Sequence, residues 1–229
     1  MARLARFVVP GVPHHVTQRG NGRQRTFFGD DDYSAYLHLL KKHCARAGVS
    51  VWAWVLMPNH VHFILTPSDA DGLRSALSRV DRDYAGRVHA REKRTGHFWQ
   101  GRFGCVAMDE AHLAAAIPYV ALNVALNPVR ARLVPQAEDW RWSSVHAHLD
   151  PARGDGLTDT APVAARFDNF AELLRAGEDA AASMALRRAE TIGRPLGDRS
   201  FQEHVNAAIG RDPAPRKRGR RAGNSALSP

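Results

Sequence analysis

Residues 49–66 restrict this chain more than any other stretch. Two strand-like runs, 49–56 and 60–66, flank Met57-Pro58-Asn59, where proline and asparagine turn the chain back on itself. The second run, His60-Val61-His62-Phe63-Ile64-Leu65, alternates with the period of two that a strand requires. Val61, Phe63 and Leu65 therefore face one side, where a core would want them, and His60 and His62 project together from the other. Any fold offered for this sequence has to bury the first face and find a use for the second.

The flanking sequence extends the hairpin into a sheet with helices. Residues 6–17 read as a first strand, interrupted by Pro10, Gly11 and Pro13. Asp30, Asp31 and Asp32 precede a helical stripe of Tyr33, Tyr36, Leu37, Leu40 and Cys44, and Gly48 stops it. Acids there suit the positive end of a helix. Leu73, Leu77, Val80, Tyr84 and Val88 form a second stripe. Residues 98–108 read as a fourth strand, and 109–127 as a further helix ended by Pro128. The order is β-α-β-β-α-β plus a helix: an α+β fold with the antiparallel, ferredoxin-like split arrangement.

Charge divides the chain into three. Residues 1–150 carry net +6 and form the expected main domain; 151–210 carry net −2 and read as a small helical C-terminal appendage; 211–229 carry net +5 and read as a disordered basic tail. The whole chain is +9 with a pI near 10.3, so polyanions are its natural partners. Of the 32 basic residues 28 are arginines, whose planar fork suits bidentate phosphate contacts and stacking on bases. No apolar run approaches the ~20 residues of a membrane-spanning helix, and no basic amphipathic helix suggests a membrane surface. The apolar stretch before Pro10 is too short for a secretory signal. Cys44 and Cys105 alone build neither a disulfide framework nor a thiolate zinc site, so a cytoplasmic location is expected.

Two imidazoles at neighbouring same-face positions can chelate one divalent cation. The alternative is a solvated strand face that happens to carry two histidines. Two ligands make a weak site, so a third has to come from elsewhere. It does not come from the strand, because position 64 is Ile and the H-x-H run stops there. No H-E-x-x-H helix is present either. What remains is a ligand from a helix laid across the sheet. Tyr119 and Asn123 stand at i and i+4 on the helix expected after the fourth strand, so they share a face. Such a face offers a phenol to phosphorus and an amide oxygen to a cation. Tyr33, Tyr36 and Tyr84 fit better as packing residues.

At this point the sequence resembles a known family, the REP-associated tyrosine transposases, relatives of the small single-strand insertion-sequence transposases of the HUH superfamily. The resemblance runs through most of residues 3–150. It rests on Pro13-His14-His15-Val16-Thr17-Gln18-Arg19-Gly20-Asn21, on Met57-Pro58-Asn59-His60-Val61-His62 and on Arg94-Thr95-Gly96-His97-Phe98-Trp99-Gln100-Gly101-Arg102-Phe103. It continues through Tyr119-Val120-Ala121-Leu122-Asn123, residues 127–134 and residues 138–144, and Arg194-Pro195-Leu196-Gly197 with the basic tail looks like one subgroup. The resemblance implies a catalytic domain that cuts and rejoins single-stranded DNA beside a hairpin. In it His60, His62 and Asn123 would bind Mg²⁺ or Mn²⁺, and Tyr119 would be the nucleophile. Tyrosine attack would leave a 5′-phosphotyrosine and a free 3′-hydroxyl, so rejoining needs no nucleotide cofactor. Bacterial origin, nucleoid association and a homodimer follow from the resemblance alone.

Further DNA contacts are expected from polar residues around these motifs. His14, His15, Thr17, Gln18, Arg19 and Asn21 are candidates for a groove near the first strand, and Trp99, Gln100 and Arg102 for contacts to bases. Arg216, Lys217, Arg218, Arg220 and Arg221 in the tail are candidates for phosphate attraction. Trp52, Trp54, Trp140 and Trp142 read as core.

The chain departs from the family pattern in one place. Val-Ala-Leu-Asn occurs twice, at 120–123 and 124–127, as if duplicated in tandem. Four residues add about 6 Å and slightly more than a turn of helix. If the extra turn lies beyond Asn123, the Tyr119–Asn123 face survives. Counted back from Asn127-Pro128, Asn123 takes the tyrosine's position and the nucleophile is lost. Pro118 adds a second difficulty, since inside a helix it costs ~3 kcal/mol unless the helix kinks or starts there. Three readings follow: a metal-dependent tyrosine endonuclease and strand transferase; a disarmed DNA-binding protein of the same family; and a metal phosphoesterase using water, whose cleavage would survive Tyr119→Phe.

Overall fold

The computed structural model describes residues 6–110, 113, 133–136, 139–176, 184, 188–189 and 193–210. Tyr119, Asn123, the duplicated turn and the basic tail lie outside these described residues.

Four strands form one sheet in the order β2-β3-β1-β4: β1 (His14–Arg19), β2 (Val49–Met57), β3 (His60–Pro67) and β4 (Gly104–Ala107). Every neighbouring pair is antiparallel, as the split β-α-β-β-α-β order requires. Helices α1 (Asp30–Arg46) and α2 (Gly72–Glu92) pack together on one face. Val61, Phe63 and Leu65 are fully buried beneath them with Val16, Tyr36, Leu40, Leu77 and Tyr84. At ~1.5–3 kcal/mol for each large apolar side chain, that face fixes the register of β3.

Two boundaries differ from the sequence expectation. The first strand starts at His14 rather than Arg6. Pro10 and Pro13 have no N–H to give a ladder, and Gly11 takes a positive φ of 73° while its N–H bonds the Pro67 carbonyl. The fourth strand starts at Gly104 rather than Phe98. Upstream, the backbone at 98–100 serves another partner: the Phe98 carbonyl accepts from Asn21 N–H and Gln100 N–H donates to the Arg19 carbonyl.

The second face of the sheet is also covered. Ile64, Val55, Met57, Val106 and Met108 form a core there with Leu113, Val145, Val163, Phe170 and Leu174. These come partly from α3 (Val145–Leu149), α4 (Ala161–Ala164) and α5 (Phe170–Ala176). Backbone bonds tie this layer down, from Asp159 N–H to the Val51 carbonyl and from Leu196 N–H to the Ala107 carbonyl, both 2.8 Å. A last helix, α6 (Arg199–Ile209), puts Val205 against Phe7 and Val9. A register shift between Val51 and Ala53 changes which β2 side chains meet which core, sending Val49, Val51, Trp54 and Leu56 to one and Trp52, Ala53, Val55 and Met57 to the other.

Candidate DNA-processing site

The histidine face is built by the hairpin and its neighbour β1. Met57 pairs with His60 across a two-residue turn of Pro58 and Asn59, so His60 is the first residue of β3. His60 and His62 are both half-buried, with ring centroids 5.0 Å apart in an edge arrangement. In β1, Arg19 stands opposite His60 and Thr17 opposite His62, on the same face. Ile64, the next position on that face, is fully buried in the second core. The histidine pair thus lies where this face passes from apolar core to polar surface.

Both rings are held at Nδ1. His60 Nδ1 lies 2.6 Å from Asn59 Oδ1, and an amide oxygen can only accept. In the tautomer protonated at Nδ1, His60 donates to that oxygen and carries its lone pair on Nε2, the form a metal ligand takes. His62 Nδ1 lies 3.1 Å from His15 Nε2. This donor chemistry fits a divalent cation ligated through the two Nε2 atoms. Among the described residues no group of three histidine, cysteine or acidic side chains converges that could hold a metal ion.

The other sequence candidates separate clearly. Thr17 and Arg19 are half-buried on the histidine face, and Asn21, Gln100 and Arg102 are exposed. His14 is no groove residue: it is fully buried on the opposite face, where its Nε2 accepts the Val9 N–H. Burial pushes its pKa down to about 4, so the ring is neutral. His15 is 3% exposed and engaged with His62, which removes it from the groove as well. Gln18 is also buried; its amide donates to Asp81 Oδ2 at 2.9 Å and to the Gly101 carbonyl at 3.1 Å. Trp99 spends much of its ring on Tyr36, Tyr84 and Phe98 and its Nε1–H on the Asp81 carbonyl, which takes most of it away from bases. Tyr119, Asn123, Arg216, Lys217, Arg218, Arg220 and Arg221 lie outside the described residues.

Three site-shaping residues were missed by sequence reasoning. Asp81 anchors Gln18 from α2, a partner 63 positions away that no local pattern signals. Gly104 faces Thr17 across β1 and β4, where a Cβ would sit 2.6 Å from Thr17 Oγ1. Gly20 closes the end of β1, where a Cβ would lie 2.4 Å from the Gln24 carbonyl oxygen. A glycine directly after a strand was the one available signal for Gly20.

After β4 the chain turns onto the histidine face. Leu113 N–H donates to the Asp109 carbonyl at 2.6 Å, and Leu113 is fully buried with Ile64 and Val55. Asp109 Oδ2 in turn accepts from Asp198 N–H at 2.9 Å, tying this stretch to the segment before α6.

The profile of the family described as "Transposase IS200 like" matches residues 9–123, just over half of the chain. The chain belongs to the IS200-like transposase family. Among solved structures, this transposase is similar to one described as "Structure of the REP associates tyrosine transposase bound to a REP hairpin". They share 24% identity over 70% of this chain and 90% of that one, with a TM-score of 0.52 and the same fold. A putative transposase from Deinococcus radiodurans R1 matches at 18% identity over 52% of this chain and 96% of that one, with a TM-score of 0.37. A comparison with curated proteins finds no match.

Proposed function

We propose that this transposase is a metal-dependent tyrosine endonuclease and strand transferase that cuts and rejoins single-stranded DNA beside a hairpin. The observation that carries the reading is the His60–His62 pair, same-face neighbours 5.0 Å apart, on the sheet face that Leu113 helps to cover. The hairpin substrate follows the family resemblance, and the REP hairpin in the solved relative is consistent with it. His60, His62 and Asn123 would hold Mg²⁺ or Mn²⁺, which when bound withdraws charge from the scissile phosphate.

The chain's own residues supply the rest. The Tyr119 phenolate oxygen attacks phosphorus, the bond from phosphorus to the 3′-oxygen breaks, and that oxygen leaves as a hydroxyl after taking a proton. The 5′ end stays on the tyrosine as a phosphodiester, so a later 3′-hydroxyl can reverse the step without nucleotide hydrolysis. Arg19 and Thr17, in register with His60 and His62, would donate to phosphate oxygens and hold the strand in line. A phenol near pKa ~10 needs positive surroundings to ionise, and the arginine-rich composition offers them.

The test uses wild type and Tyr119→Phe with labelled hairpin oligonucleotides from DNA flanking the gene, run on denaturing gels with Mn²⁺ and with EDTA. Binding is measured in parallel. A metal-dependent covalent band that Tyr119→Phe abolishes is the expected result. Tight binding with no adduct and no cleavage would leave a disarmed DNA-binding protein, the outcome expected if the extra turn of the duplicated Val-Ala-Leu-Asn is absorbed before Asn123. Cleavage that survives Tyr119→Phe would point to water as the nucleophile.

A further inference from the structure

The sequence places His15 beside a DNA groove, yet only 3% of the residue is exposed, too little to read a nucleic acid. Its ring lies parallel to that of His62, with centroids 5.2 Å apart and planes within 8°, and its Nε2 is 3.1 Å from His62 Nδ1. His15 pairs with Ile64 in the ladder, so it reaches His62 diagonally, from the buried side of the site.

We propose that His15 is the positioning residue of the metal site: it accepts the His62 Nδ1–H, locks the ring in one tautomer, and leaves His62 Nε2 to ligate. The inference rests on the metal-site reading above. Its warrant is a correspondence between the two ligands. His60 has its Nδ1 held by Asn59 Oδ1 at 2.6 Å, and His62 has its Nδ1 held by His15 at 3.1 Å. Each ring thus presents the same nitrogen, and neighbouring positions on one strand face can address one cation. If the proton lay on His15 Nε2 instead, His62 would carry its own on Nε2 and could not ligate. Metal binding therefore selects the arrangement in which His15 accepts.

The choice of acceptor has a consequence for a DNA enzyme. Carboxylates often hold ligating histidines, but a carboxylate here would set a negative charge beside a polyanionic substrate. An imidazole that accepts through a ring nitrogen gives the same hydrogen bond without that charge. The stacked geometry adds a steric limit on His62, whose ring cannot swing toward β1 without meeting His15.

Mn²⁺ affinity, measured by the loss of the free-ion paramagnetic resonance signal, tests this without requiring activity. The full-length protein is titrated as wild type, His62→Ala, His15→Leu and His15→Gln, with thermal melts and single-strand binding in EDTA recorded for each. His15→Leu keeps bulk and loses the acceptor, so a roughly 10–100-fold weaker Mn²⁺ affinity is expected. A Gln side chain reaches about as far as Nε2 and can accept the same bond, so His15→Gln should stay within about threefold of wild type. If His15→Leu does not fold, His15→Asn replaces it, since its amide is too short to reach His62 Nδ1.

Each result decides. Mn²⁺ binding by His15→Leu (or its Asn substitute) within about twofold of wild type overturns the positioning role and leaves the metal site standing. Equal loss in the Leu (or Asn) and Gln variants assigns His15 to packing and overturns the role too. Binding by wild type that His62→Ala does not weaken removes the metal site itself, and this inference with it.

Discussion

Gln18 of β1 donates to the Asp81 carboxylate of α2 at 2.9 Å, in a largely buried site beneath the sheet. The Tyr36 hydroxyl donates to the other carboxylate oxygen at 3.4 Å, and Trp99 Nε1–H to the Asp81 carbonyl. One buried acid therefore organises the end of β1 that carries Arg19 and the loop that carries Trp99. Burial raises the Asp81 pKa to about 7, against the lowering effect of its hydrogen bonds from Gln18 and Tyr36.

A carboxyl whose folded pKa exceeds its unfolded value costs stability as pH rises. The loss begins near the ordinary carboxylate range, grows through pH 7 and is complete above it. Asp81→Asn keeps an acceptor for Gln18 and removes the charge. Urea unfolding should show the variant gaining on wild type between pH 5 and pH 8, by on the order of 2–3 kcal/mol. A pH-independent difference between the two proteins would mean that the acid is solvated in solution.

His14 gives the opposite slope. Its folded pKa of about 4 lies below its ordinary value of 6.5, so the folded state holds fewer protons than the unfolded chain between these limits. Stability is full above pH 6.5 and falls on acidification toward pH 4. His14→Gln can keep an acceptor for the Val9 N–H without a proton to gain. Thermal melts at pH 7 and pH 4.5 should show wild type losing more than the variant, and equal losses would contradict a buried neutral imidazole.

These assignments show what the sequence could and could not reveal. The alternation of Val61, Phe63 and Leu65 against His60 and His62 was legible because one strand's period decides it. So were α1 and α2, whose apolar stripes repeat over whole helices, and the antiparallel order that joins them. His14, His15 and Gln18 were not sorted correctly, because they stand in one polar motif while β1 sends His14 and Gln18 to one face and His15 to the other. Both faces are covered, and the second cover comes from residues 113–196 as well as from the sheet, which no pattern within β1 announces. The bulge at Trp52 breaks the period of two inside β2 and hides its double service.

Gly20 should be intolerant of any side chain. A Cβ there would lie 2.4 Å from the Gln24 carbonyl oxygen and 2.8 Å from Thr26 Cγ2, and the first of these is backbone that cannot rotate away. Its N–H donates to the Asn59 carbonyl at 3.0 Å, so a shift would pull on the hairpin tip beside His60. Gly20→Ala is expected to cost ~1–3 kcal/mol and to lower Mn²⁺ affinity. An unchanged melting temperature would show that the turn relaxes freely.

Neighbours in sequence should differ in what they affect. Arg19 stands on the histidine face, so Arg19→Ala should weaken single-strand binding and lower the salt slope by roughly 0.7. Gln18→Leu removes a buried donor from Asp81 and should lower the melting temperature with little effect on the salt slope. Binding isotherms at several salt concentrations, with melts in parallel, separate the two. Similar salt slopes for Arg19→Ala and wild type would remove Arg19 from the DNA path.

In the proposed metal site, the repeated Val-Ala-Leu-Asn leaves the third ligand a choice between Asn123 and Asn127. On a helix, Asn123 shares a face with Tyr119 four residues earlier, whereas Asn127 lies eight residues on, about 12 Å along the axis. A phenol and an amide serving one cation have to be close, so the first pairing is the competent one. Asn123→Ala should weaken Mn²⁺ binding at least tenfold, and Asn127→Ala should leave it within about twofold. The reverse pattern would mean that the duplicated turn is absorbed before Asn123. Tyr119 would then lie a turn too far from the metal, and a covalent DNA adduct should be absent from wild type as well.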